Sequence, residues 1–260
     1  MKMNRKFKPF GYIVYEGPSL LDGSPIVIII NKIKAASKNA KTGALVQSFI
    51  IRSDVNPVEA LKTGEDAAIC GHCIHRPSLA AYTGAPPCYV NVGRSVLQVY
   101  NAYKRGRYVK ASPNEVAHYL TGLKLRIGTY GDGAAAPVKI WQALTQFTAD
   151  HVGYSHQWLN PSFDHAAWSK LVMASADTID EAARANLYGM RVFRVSVGID
   201  KQAGEAACPA SAESGKKTTC DNCMLCAGTS KNAKDIVIAD HALGHKKRII
   251  SIQSVGVSHV

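Results

Sequence analysis

The sequence is short of acid. Only 19 Asp and Glu stand against 31 Lys and Arg, a formal charge of +12 over 260 residues. That excess is beyond what solubility needs and suits a polyanionic partner, so nucleic acid is the expected macromolecular contact. Long apolar runs are missing too. The segment 25–30 is far too short to span a bilayer, and no membrane partner is expected. The opening MKMNRKFKPFGYIVYEG has positive charge but neither the apolar stretch nor the small-residue cleavage site of an export signal. The expected compartment is therefore the cytoplasm, where thiols stay reduced. Repeats and low-complexity tracts are absent, and a hydrophobic fraction of 47% argues against disorder.

What is present in that setting is cysteine. Seven residues, an odd number grouped as CxxC and CxxCxxC, point to metal rather than to a disulfide framework. Cys220-Asp-Asn-Cys223-Met-Leu-Cys226 is the strongest pattern in the chain, because each two-residue gap lets the backbone curl both sulfurs inward. The fourth ligand is Cys208, His241 or His245. Cys208 would make the set all-cysteine, for zinc or an iron–sulfur cluster, and His241 would favour zinc. A second group is Cys70, Cys73 and Cys88, with His72 or His75 to complete a zinc site. Three cysteines alone suit a cluster with one iron left open.

Strand and helix signals alternate along most of the chain. Strands are expected at 11–15, 26–30, 45–52, 88–92, 124–130, 152–157, 171–175, 191–197, 236–239 and 249–252. Helices are expected at 57–63, 96–103, 137–149 and 179–187, with Ser95, Ser112 and Thr178 as N-caps. Such β-then-α units imply a parallel sheet, and the expected architecture is one α/β domain over 1–260 shaped as an incomplete or decorated (βα) barrel. Within it fall an N-terminal β subdomain at 7–53, a Cys loop at 66–93 and a Cys-rich insertion at 200–232. The polar stretch 200–217 reads as exposed.

The C-terminal ends of parallel strands line the reactive mouth of such folds. Read that way, Asp132, His156 and Asp177 are the candidate catalytic residues, as general acid/base groups or a carboxylate nucleophile. Plainer roles compete with each: a turn acid between glycines for Asp132, a helix-start acid for Asp177, a structural histidine for His156. Tyr154 and Trp158 are candidates for stacking on a nucleic-acid base, and Lys104, Arg105 and Arg107 for phosphate contacts near a helix end.

Through GYIVYEGPSLLDG, CGHC…CYVNVG, AYKRGRY, GTYGD, GYSHQW and CPAS…CxxCxxC, the chain resembles a family of small phage-encoded proteins over nearly its whole length. It is more distantly similar to the guanine transglycosylases, (βα) barrels with a structural zinc held by a C-terminal Cys-x-Cys-x-x-Cys motif and a His. Here the first gap is two residues and His241 lies closer. That resemblance implies a transferase that exchanges guanine for a 7-deazaguanine in DNA. Asp132 and Asp177 would then divide the nucleophile and acid/base roles, in either order, on a flipped base and in a protein with structural zinc. The rival expectations are an iron–sulfur enzyme of radical-SAM-like architecture built on Cys70, Cys73 and Cys88, and a non-catalytic zinc-containing protein that binds DNA or assists replication.

Overall fold

The computed structural model describes residues 10–31, 41–79, 88–196 and 198–239. Its first three strands are β1 (Gly11–Pro18), β2 (Pro25–Asn31) and β3 (Val46–Arg52), an antiparallel meander. Seven more follow: β4 (Val109–Lys110), β5 (Lys124–Tyr130), β6 (Asp150–Ser155), β7 (Met173–Ala176), β8 (Val192–Ser196), β9 (Glu205–Ala207) and β10 (Asp235–Ala239). They form one mixed sheet in the order β4-β1-β2-β3-β5-β6-β7-β8-β10-β9. From β3 onward every pairing is parallel. The meander therefore runs on into the rest of the sheet rather than standing apart. Among the described residues β4 and β9 do not pair with each other, so the sheet is not closed into a barrel.

The burial of β2 and β3 explains their composition. All of β3 and all of β2 except Pro25 are buried, so PIVIIIN and VQSFIIR have no polar face to alternate with.

The helices are α1 (Pro57–Thr63), α2 (Ala67–Cys70), α3 (Leu97–Lys104), α4 (Pro113–Tyr119), α5 (Val138–Thr145), α6 (His165–Trp168), α7 (Ile179–Leu187) and α8 (Cys220–Cys223). Their starts follow the caps in the sequence. Ser112 and Glu115 form a capping box with Pro113 at the first position, and Thr178 accepts from the Glu181 amide at 3.1 Å. Three βαβ crossovers through α5, α6 and α7 carry the sheet from β5 to β8.

Two expectations are corrected. Residues 88–92 form no strand; a π-helical turn over Val92–Val96 leads into α3, so Ser95 lies inside that turn and is not the N-cap. The stretch 200–217 is not simply exposed, because β9 extends the sheet beside β10 and its Glu205 is buried against Arg194. Beyond these, β4 is a two-residue strand with too little pattern to be read from sequence. The segment 249–252, His241 and His245 lie outside the described residues.

Candidate functional site

Strand alternation sets the site. Arg126, Gly128 and Tyr130 of β5, Val152 and Tyr154 of β6, Ser175 of β7, Phe193 and Val195 of β8, and Ile236 and Ile238 of β10 point to one face. They line a cavity of about 700 Å³ that is mostly apolar. All seven cysteines line the same cavity.

Cys208, Cys220, Cys223 and Cys226 occupy one part of it. Cys208 continues directly from β9, and its amide donates to the Val237 carbonyl at 2.8 Å. Cys220 starts α8, with its amide donating to Lys41 O at 2.8 Å, while the Ala44 amide reaches Asp221 Oδ2 at 2.8 Å. Met224 then takes a left-handed φ of 50°, which costs a side-chain-bearing residue about 1–3 kcal/mol. Burial of Met224 against Leu45 and Val152 offsets that strain and turns Cys226 back towards the cavity. Arg191 fixes the return, donating to the carbonyls of Leu225 at 2.7 Å and Gly228 at 2.9 Å. The four thiols act on one another electrostatically, and burial pushes Cys226 up to about 12. Cys208 is thus the candidate the fold brings to the trio.

Cys70, Cys73 and Cys88 form the other group. Cys70 ends α2, Cys73 N donates to Cys70 O at 3.1 Å, and Cys88 N donates to His75 O at 2.7 Å. Burial raises the Cys70 and Cys88 thiols, and each feels the charge of Cys73. Burial works against Cys73 as well, yet the imidazoles of His156 and His75 bring it below its ordinary value.

His75 Nε2 lies 2.9 Å from Asp177 Oδ1, and His156 Nε2 lies 3.6 Å from Asp177 Oδ2. Burial would raise the Asp177 carboxyl, but the two imidazoles hold it well below the carboxylate range. Burial likewise opposes charge on His156, and Cys73 with Asp177 raises it well above its usual value. Among the described residues, His75, His156 and Asp177 are the one set of three or more metal-donor groups whose atoms all lie within 4.8 Å of one another.

Asp132 is held differently. Its Oδ1 accepts from Ala134 N at 3.0 Å and Ser155 Oγ at 2.9 Å, and its Oδ2 from Ser155 Oγ at 3.0 Å and His156 N at 2.8 Å. These four contacts come from three donors, with the single hydroxyl hydrogen of Ser155 shared between the two oxygens. The residue ties the end of β5 to the end of β6 and so places His156.

The remaining sequence candidates are scattered. Trp158 is 1% exposed and donates from Nε1 to Ser175 O at 2.7 Å; it lines a second cavity of about 440 Å³ with His72, His156, Asp177 and Glu181. Tyr154 packs on Phe193 and faces the larger cavity. Lys104, Arg105 and Arg107 are exposed at the end of α3 and line neither cavity. Sequence reasoning marked Tyr130 as an aromatic able to stack on a base but did not single out Arg126, on the same face of β5, for the cavity. Their same-face spacing on β5 was the available signal. Among the described residues no helix is long and apolar enough to cross a membrane. The chain matches no protein-family model, no curated protein and no solved structure.

Proposed function

We propose that the chain is an iron–sulfur enzyme of radical-SAM-like architecture, with the 700 Å³ cavity as its reaction chamber. One observation carries the reading: both cysteine groups, a trio and a set of four, face that one mostly apolar chamber. Four cysteines can ligate every iron of a cubane cluster, whereas three leave one iron without a protein ligand. Cys208, Cys220, Cys223 and Cys226 suit a fully ligated cluster, and Cys70, Cys73 and Cys88 one with an open iron. An open iron held by Cys70, Cys73 and Cys88 would supply one-electron chemistry to a molecule bound in the chamber. Around it, His156 and His75 face Cys73, and Asp132 fixes His156 through its backbone. The contribution of β5, β6, β7, β8 and β10 to one chamber also supports an incomplete-barrel shape.

Anaerobic purification followed by iron, sulfide and zinc analysis tests the proposal. The expected protein is brown and carries iron with acid-labile sulfide. Cys88→Ser and Cys226→Ser should each remove only their own group's share. Colourless protein with zinc and no iron would overturn the reading.

A second reading, exchange of guanine for a 7-deazaguanine in DNA, is favoured by a separate observation. Asp177 and Glu181 line the 440 Å³ cavity beside Trp158, a carboxylate pair next to an aromatic face. Asp177 is its nucleophile, since Asp177 lines that cavity and Asp132 does not, and the basic excess holds the opened duplex. Mass spectrometry of nucleosides from DNA made with and without the protein tests it; an unaltered profile in the presence of the precursor base removes it.

A further inference from the structure

We infer that Arg126 is the anchor for an oxyanion, carboxylate or phosphate, on the molecule that enters the large cavity. This deepens the reading of that cavity as a reaction chamber and rests on it.

The placement begins in the β3–β5 pairing. Gln47 is opposite Arg126 and Phe49 opposite Tyr130, so two residues of β3 span four of β5. Gly128 absorbs the irregularity at φ +68°, where an added Cβ would stand 2.6 Å from the Gly131 carbonyl. Ser48 Oγ satisfies the bulged backbone, accepting from Gly128 N at 2.9 Å and donating to Arg126 O at 2.8 Å. Arg126 and Tyr130 are thereby held facing the cavity, with no side chain between them.

The guanidinium is half-buried where it lies. Its NH2 donates to the Tyr89 hydroxyl at 3.2 Å, its buried Nε donates to nothing, and among the described residues it makes no ion pair. A buried N–H left without a partner is costly, and an oxyanion entering the cavity would satisfy it. The cavity wall offers little of its own. Among the described residues Asp132 is its single carboxylate, with both oxygens taken, while Lys41 and Lys216 join Arg126 in lining it. A free N–H beside a polarised NH2 is the fork that receives an oxyanion on two bonds. At the other end of β5 the Tyr130 hydroxyl, buried and without a partner, lies by Cys70 and Cys88. A molecule held by its acid group at Arg126 would present its far end there. The chamber volume falls in the range of small-molecule sites.

One competing duty exists for Arg126: neutralising the thiolates near Cys220. Calorimetric titration of the as-isolated protein with inorganic phosphate and with acetate, at low ionic strength, separates the two and tells phosphate from carboxylate. Bound metal is measured in parallel. Wild type should bind one of the probes saturably at one site. Arg126→Gln should weaken that binding at least about tenfold with metal content unchanged. Arg126→Lys, which keeps the charge and loses the fork, should fall between. Arg184→Gln, on the exposed face of α7 and lining neither cavity, should match wild type. Undiminished binding in Arg126→Gln, binding lost only in step with metal, or no saturable binding of either probe by wild type overturns the assignment. A zinc-containing, colourless wild type that still binds anion through Arg126 would remove the iron–sulfur reading and leave this one standing.

Discussion

His75 and Asp177 are 102 residues apart in sequence, yet His75 Nε2 lies 2.9 Å from Asp177 Oδ1. The contact fastens the loop carrying Cys73 to the end of β7, just before α7. It also explains why Asp177 caps nothing. Thr178 supplies the cap, and the Asp177 amide donates to Glu181 Oε2 at 2.7 Å, leaving the carboxylate for the histidines.

Asp177→Asn keeps the shape of that link and removes its charge. A charge-assisted hydrogen bond in a mostly buried site is worth about 2 kcal/mol, which for a chain of this size lowers Tm by roughly 4–8 °C. The Cys70 group should lose metal first, since its loop is the part released, while the Cys208 group keeps its metal. Thermal melts with metal analysis check both; an unchanged melt and full metal would show that the contact does not hold the loop.

For Asp132 the expected cost is larger and of another kind. Three donors converge through four contacts on a buried carboxylate, and an amide in its place presents an N–H to donors. Asp132→Asn should destabilise by about 2–4 kcal/mol, measured by urea unfolding. A variant that folds with wild-type stability but has lost all turnover would instead mark Asp132 as a reacting group.

Much of this site is legible in the chain where the signal is local. The spacing of Cys220, Cys223 and Cys226 places three thiols together on one short loop, and the ends of β5, β6 and β7 deliver Asp132, His156 and Asp177 because strand ends can be located from alternation and turn residues. What joins them is not local. Ser155 beneath Asp132, His75 against Asp177 and Glu205 against Arg194 are pairings made by the sheet order, and no spacing announces them. Arg126 was hidden for another reason: a charged residue on a strand reads as a solvent face, and only the curl of the sheet round a cavity turns that face inward. The same curl brings two cysteine groups, separated in sequence by more than a hundred residues, to one chamber.

The Arg194–Glu205 pair gives a stability test away from the chamber. Arg194 Nε and NH2 each donate to a Glu205 oxygen at 2.7 Å, with both side chains buried, and the pair ties β8 to β9 across β10. Burial alone would raise the Glu205 carboxyl, but the hydrogen bonds from Arg194 and from the Gln202 amide outweigh it and lower it. A carboxylate lowered in the fold stabilises at pH above its unfolded value, about 4.3, and that contribution disappears as pH falls through the folded value. The stability difference between wild type and Glu205→Gln should therefore be full at neutral pH and shrink towards zero in acid. Arg194→Met leaves a buried carboxylate unpaired and should cost about 3–5 kcal/mol at neutral pH, whereas Arg194→Met with Glu205→Leu should recover most of that loss. Urea unfolding of the variants across the acid range reads out the pattern. A wild-type advantage over Glu205→Gln that stays constant into acid would show that the pair does not govern this edge of the sheet.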